Sequence, residues 1–198
     1  MFSKWIVAAG IAVVLLAGLY LGDGGTTPEG QPALADLHLD AFKAQFNEAA
    51  GSTRVILLIS PSCPYCLRGA ADFERVLQSH AKTPLAVFAV WQPILPTDWG
   101  RPGTLALRRL SDTRVRQYWD ADHRVAVALN SAGETNCCYE KGVPWDSMAV
   151  FEPGSPWGDS LPKPVLFDGI IMDVVDGFEA VLDGGLRNEP TGGETRVR

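Results

Sequence analysis

The chain has 198 residues, 46% of them hydrophobic and 20% charged, which is ordinary for a globular protein and too apolar for a disordered one. A net charge of −6 argues against a nucleic-acid binder, which needs a basic face. Four cysteines are too few for a disulfide-stapled miniprotein and enough for a redox or metal site, so their spacing carries the information.

The first element is an uncharged run from Trp5 to Leu21 behind Lys4. At 1.5 Å rise per residue it reaches about 25 Å, the lower end of a bilayer span. Trp5 and Tyr20 sit at its ends, where amphipathic rings favour the interface. The run predicts an N-terminal transmembrane helix over 1–22, with Lys4 held inside and the rest of the chain on the extracytoplasmic, periplasmic side. A cleaved signal peptide is the alternative, although no A-x-A site precedes Asp23. Residues 23–35, rich in Gly, Pro and Thr, read as a flexible linker.

A globular domain is expected over 36–186. Leu39, Phe42 and Phe46 recur at helical spacing between Asp36 and Ala50, and Gly51 stops that helix. Val55 to Ile59 is a short apolar run, read as a strand buried on both faces. Leu67, Ala70, Phe73, Val76 and Leu77 give a second amphipathic helix ending near His80, and LAVFAVW from Leu85 gives the next strand. This alternation with short connections implies a parallel βαβ unit. Gln92 to Gly103 reads as a loop. Thr104 to Leu110 and Asp112 to Trp119 read as two short helices, and Asp122 to Leu129 as helix or strand. Residues 131–142 read as a loop. Met148 to Phe151 and Val165 to Phe167 read as a hairpin closing the sheet edge, Asp176 to Leu182 as a last helix, and 187–198 as a disordered tail.

Cys63-Pro64-Tyr65-Cys66 follows the apolar strand directly and opens the helix. Two intervening residues at a helix start bring the sulfurs within disulfide reach. The first cysteine sits where unpaired amides and the helix dipole stabilise a thiolate, and the second is shielded one turn in. Cys63 is therefore the expected exposed nucleophile, and Cys66 the thiol that resolves a mixed disulfide. Pro64 suits the first helical turn. A C-x-x-C is also half of a zinc site, but no second pair accompanies it, and His38, His80 and His123 share no ligand spacing. No P-loop, G-x-S-x-G or dinucleotide fingerprint is present. The reading calls for no metal and no cofactor. Asp98, Asp112, Asp120 and Asp146 read as caps or turn residues and are given no catalytic part. The many tryptophans read as packing residues or as an apolar rim for a partner protein.

The segment from Arg54 to Leu77 resembles the thioredoxin-like superfamily, and its Pro-Tyr dipeptide is the one seen in glutaredoxins. The stretches around Thr97-Asp98-Trp99 and RVRQYWD are similar to those of bacterial thioredoxin-like proteins, which brings no function with it. The resemblance implies an α/β, thioredoxin-like fold, with a central mixed β-sheet flanked by helices, and thiol–disulfide exchange through Cys63 and Cys66. Its partners would be protein thiols or disulfides and a redox-partner protein, with the membrane reached through the N-terminal helix. It also implies a cis-proline beside the active-site sulfur, for which Pro144 and Pro164 are the candidates. Ser62 stands where thioredoxins carry Trp, and Leu57 where they carry a buried acid. The lysine that partners that acid has no counterpart in LAVFAVW, and the Thr-Val-Pro segment of glutaredoxins is absent. Two other readings stay open: a metallochaperone of the same fold holding a soft metal such as Cu(I), and a non-enzymatic interaction module.

Cys137 and Cys138 are adjacent in a polar, Gly-bounded loop. A disulfide between them closes a small ring and is the least expected arrangement on geometric grounds. They are otherwise two ordinary loop cysteines or a second thiol pair that exchanges with Cys63 and Cys66. The second case requires one of them to lie on the same face as Cys63.

Overall fold

A computed structural model of the protein describes residues 34–182. The predicted membrane helix, most of the linker and the C-terminal tail lie outside the described residues. No helix among the described residues is long and apolar enough to cross a membrane.

The elements run β1 (Ala35–Asp36), α1 (Leu39–Glu48), β2 (Thr53–Ile59), α2 (Pro64–Ser79), β3 (Leu85–Trp91), α3 (Thr104–Leu107), β4 (Val115–Trp119) and α4 (Arg124–Ala132). They continue with β5 (Tyr139–Glu140), β6 (Val143–Pro144), β7 (Ser147–Phe151), β8 (Leu166–Gly169) and α5 (Ile171–Leu182). Six strands form one sheet in the order β1-β4-β3-β2-β7-β8. The first four are parallel, and β7 and β8 join antiparallel. This is the central mixed sheet flanked by helices that the sequence implied.

β2 lies at the centre because both its faces are apolar. Val55, Leu57 and Ile59 pack against α2 and α5 in one core cluster. Ile56 and Leu58 pack in a second, with Phe42 and Phe46 of α1 and Val125 and Leu129 of α4. Each fully buried aromatic removes enough apolar surface to contribute roughly 1.5–3 kcal/mol. Phe46 alone meets Phe88, Phe151 and Trp157, with ring centroids 5.1–5.9 Å apart. On the α2 side Phe73 meets Phe178 of α5 at 5.0 Å. Gly69 makes that packing close, since a Cβ there would lie 2.8 Å from Ile171 Cβ.

The middle of the chain departs from the sequence reading. Val115 to Trp119 is a strand, not a helix, and pairs with β3 from Val87↔Val115 to Trp91↔Trp119. Its local pattern fits either state, but buried backbone groups must be paired, and the exposed edge of β3 supplies a ladder. Gln117 is buried in β4, where it accepts from Trp91 Nε1 at 2.9 Å and donates to the Leu107 and Leu110 carbonyls. Arg124–Ala132 is a helix, and the last helix starts at Ile171, five residues before the predicted Asp176. β7 and β8 form the expected edge hairpin.

Candidate functional site

β2 ends at Ile59 and the chain turns through Ser60-Pro61-Ser62 into α2. Cys63 is the N-cap, with extended backbone at φ −76° and ψ 116°, and Pro64 occupies the first turn. The Cys63 sulfur accepts the Cys66 N–H at 3.3 Å. A sulfur thus stands where a Ser or Asp oxygen usually satisfies the free amides of a helix start.

This position divides the two thiols. The Cys63 pKa is lowered to about 7, chiefly because the Cys66 thiol donates to it, helped by the Cys66 and Tyr65 amides and opposed by burial and the charge of Asp146. Burial pushes the Cys66 thiol far up, and its bond to Cys63 and the charge of Asp146 push the same way. Cys66 is the more shielded thiol, as expected. Cys63 is also buried, at 2% exposure against 0% for Cys66, so it is not the open surface nucleophile the sequence suggested. Both sulfurs belong to the apolar core cluster on this side of the sheet.

The third member of the site is Asp146, to which the sequence gave no catalytic part. One carboxylate oxygen and the two sulfurs all lie within 4.8 Å of one another, and all three residues are buried. Among the described residues this is the one grouping of three side chains able to ligate a metal. Asp146 directly precedes β7, whose Ser147 pairs with Leu58 of β2, so strand pairing delivers the carboxyl to the end of β2. Burial holds its pKa above the usual carboxylate range, and hydrogen bonds from the Ile171 amide (3.3 Å) and Cys66 oppose that shift. No local pattern marks this residue, because its partners come from α2 and α5.

Neither proline takes the expected cis form. Among the described residues the cis bond joins Gly169 and Ile170. Pro144 pairs with Tyr139 in the small β5–β6 ladder, and its carbonyl accepts from the buried Gln92 amide at 2.8 Å. Pro164 precedes Val165, whose N–H donates to Val150. The chain turns into β7 at Asp146 itself, in left-handed backbone at φ 46°, and its carboxyl takes the place beside the sulfurs that a proline was expected to hold.

Asp98 is a second residue the sequence did not assign. Its Oδ2 accepts Ser60 Oγ (2.7 Å) and the Ile94 and Leu95 amides (both 2.8 Å), and its Oδ1 accepts the Ser62 amide (2.9 Å). Burial works against its charge, but the bonds from Ser62, Ser60, Leu95 and Ile94 outweigh that and hold the carboxyl below its usual range. It ties the turn before Cys63 to the loop after β3. The one local signal was its place in the Thr97-Asp98-Trp99 stretch. Trp99, 86% exposed, and Tyr65, 62% exposed, are the large side chains left open on these two segments, while Trp91 and Trp157 are core. Of the other acids, Asp112 pairs with Arg114 and Asp120 accepts the Val125 amide at the start of α4. His123 bonds the Pro93 carbonyl, and His80 bonds Ser79 Oγ and the Val76 carbonyl. None of the histidines joins the site.

Cys137 and Cys138 form a disulfide with each other, the arrangement least expected from the sequence. Cys138 adopts left-handed backbone at φ 68°, and its carbonyl accepts the Trp145 N–H at 2.9 Å. That turn, rather than an extended loop, is what brings the two side chains together. A Cβ at Gly169 would lie 2.6 Å from the Asp146 carbonyl oxygen and 3.5 Å from Cys137 Sγ, so the bridge approaches the site through a gap that only glycine leaves.

No family model matches the chain, and no curated protein matches it. Solved structures similar to it include a thioredoxin-like protein in its oxidised form, with 17% identity over 66% of this chain and 77% of the other and a TM-score of 0.43. Another is the thioredoxin domain of a thiol-disulfide oxidoreductase from Bacteroides vulgatus, with 14% identity over 67% and 82% and a TM-score of 0.39.

Proposed function

We propose that this thioredoxin-like chain exchanges thiols and disulfides with protein substrates through Cys63 and Cys66, on the extracytoplasmic side of a membrane that its N-terminal segment anchors it to. The observation that carries the chemistry is one helix start holding two unequal sulfurs. Cys63 is capped by amides and titrates near neutrality, and Cys66 is buried against it within reach of a carboxyl. The location rests on the uncharged Trp5–Leu21 run behind Lys4.

The Cys63 thiolate attacks one sulfur of a substrate disulfide, and the other leaves as a thiolate that takes up a proton. The enzyme is then joined to its substrate through Cys63. Asp146, ionised, accepts the proton of Cys66, and the Cys66 thiolate attacks Cys63. The substrate departs reduced and a Cys63–Cys66 disulfide remains. The reverse sequence oxidises a substrate dithiol. Burial and the Cys63 bond keep Cys66 protonated and inert until it is needed. Because Cys63 is only 2% exposed, the residues that cover it must part for a substrate chain to reach it.

The test is trapping. Cys66→Ser expressed in the native host should accumulate mixed disulfides on Cys63, identifiable by peptide mapping. Absence of such adducts, with no reduction of insulin and no refolding of scrambled protein by the wild type, would refute exchange. The three-donor grouping also allows a soft-metal reading. A carboxylate is a poor Cu(I) ligand and no third thiol or imidazole joins the group, so exchange is the better supported. Metal content of the reduced protein, purified without added metal, separates the two readings.

A further inference from the structure

We infer that the Cys137–Cys138 disulfide is a second exchange centre, which trades its two electrons with the Cys63–Cys66 dithiol inside the same chain. The inference rests on the exchange reading above.

Three contacts carry it. The Cys138 carbonyl accepts the Trp145 N–H, so the bridge is one hydrogen bond from the residue preceding Asp146. Cys137 Sγ and the Asp146 carbonyl oxygen flank the same face of Gly169. Asp146 in turn presents its carboxylate to both active-site sulfurs. One residue therefore separates the two sulfur pairs, with its backbone toward one and its side chain toward the other. Cys137 and Cys138 are half-buried, whereas Cys63 and Cys66 are buried, so the vicinal pair is the one an external thiol reaches more easily. Its loop is pinned by long polar bonds, Thr135 Oγ1 and Asn136 to the Asp168 carboxylate at 3.3–3.5 Å, and is bounded by Gly133 and by Gly142 at φ +81°. Releasing those bonds together with the Cys138–Trp145 bond and the short β5–β6 ladder lets the segment 133–142 swing its sulfurs toward Cys63.

The step balances within the chain. The Cys63 thiolate attacks Cys137 Sγ, the Cys137–Cys138 bond breaks, and Cys138 leaves as a thiolate that is then protonated. Cys66, its proton taken by Asp146, attacks Cys63, and Cys137 leaves as a thiolate that is protonated in turn. One disulfide and one dithiol become one dithiol and one disulfide, and no other oxidant or reductant is consumed. Buried Cys63–Cys66 thus communicates with an outer pair that a second protein or a small thiol can charge or discharge.

The experiment adds one equivalent of glutathione disulfide to the fully reduced full-length chain, quenches with acid at intervals, alkylates, and maps bridges by peptide mass spectrometry. A Cys137–Cys138 bridge should appear first and a Cys63–Cys66 bridge after it, at a transfer rate unchanged on tenfold dilution. Cys138→Ser should slow formation of the Cys63–Cys66 bridge about tenfold or more. The double variant Cys66→Ser, Cys138→Ser should accumulate a Cys63–Cys137 link. A Cys63–Cys66 bridge that forms and turns over while Cys137 and Cys138 stay alkylated overturns the relay and leaves the exchange reading intact. Unchanged Cys63–Cys66 bridging in Cys138→Ser also overturns it. If Cys63–Cys66 never bridges in the wild type, the exchange reading fails and the relay fails with it.

Discussion

Replacing Asp98 with alanine removes the anchor of the turn that presents Cys63. The carboxylate accepts four hydrogen bonds, three at Oδ2 and one at Oδ1, from Ser60 Oγ and the amides of Ser62, Ile94 and Leu95. A bond to a charged acceptor contributes about 1.5–3 kcal/mol when buried and nearer 1 kcal/mol when water can replace it. Asp98 is half-buried, so the lower end applies, and partial rehydration of the freed amides reduces the sum further. The expected loss for Asp98→Ala is about 2–4 kcal/mol. Asp98→Asn keeps one carbonyl oxygen for the three Oδ2 donors but turns an N–H₂ toward the Ser62 amide, so about 1–2 kcal/mol is expected. Urea unfolding followed by tryptophan fluorescence measures both, and a shift of midpoint at constant slope identifies a pure stability change. The pH dependence has a definite sign. The folded pKa of Asp98 is depressed, so its contribution is present above the unfolded carboxylate pKa of about 3.9 and is lost as pH falls through the lower folded value. The gap between wild type and Asp98→Ala should therefore close in strong acid. The alanine variant should also alkylate faster at Cys63, because the turn covering it loosens. A loss below about 0.5 kcal/mol, or equal losses for the two variants, would refute the view that this carboxylate holds the turn.

Iodoacetamide should label Cys63 before Cys66, with a rate that rises around pH 7; first labelling at Cys66, or a midpoint at the free-thiol value of about 8.5, would reverse the assignment. Cys63→Ser should abolish exchange without lowering the unfolding midpoint, since a serine oxygen caps α2 as well as the sulfur does, and a large loss of stability would contradict the cap geometry. Asp146→Asn should move the Cys63 alkylation midpoint downward, because the Asp146 charge raises that thiol, while slowing release of mixed disulfides in single-turnover assays; an upward shift would contradict the placement of the carboxyl. Gly69→Ala should cost about 1–3 kcal/mol through overpacking of α2 on α5, where the new Cβ meets Ile171 Cβ at 2.8 Å and the Met172 amide at 2.9 Å, and a neutral effect in urea would show that the two helices separate freely.

The sequence alone determined the features that depend on near neighbours. The apolar run from Val55 to Ile59, short and β-branched, read as a strand buried on both sides and is one. The C-x-x-C opened a helix because Pro64 suits a first turn and a 3.6-residue apolar pattern follows it, and the βαβ start and the closing hairpin followed from run lengths and turns. The unequal environments of the two sulfurs belong to the same class, since capping acts within one helical turn. Tertiary structure decided the rest. Val115 to Trp119 became a strand because β3 offered an unpaired edge, which no window around those residues contains. Asp98 reaches Ser62 across 36 residues, and Asp146 reaches the sulfurs only because β7 pairs with β2 and stops beside its end. The expected proline was replaced by a left-handed aspartate, and two adjacent cysteines were bridged by a turn that a bond from Trp145 holds. In each case the partner is distant in sequence. Propensity and periodicity record what a segment can become, whereas a carboxylate's neighbours, and with them its chemistry, are fixed only when the strands have paired.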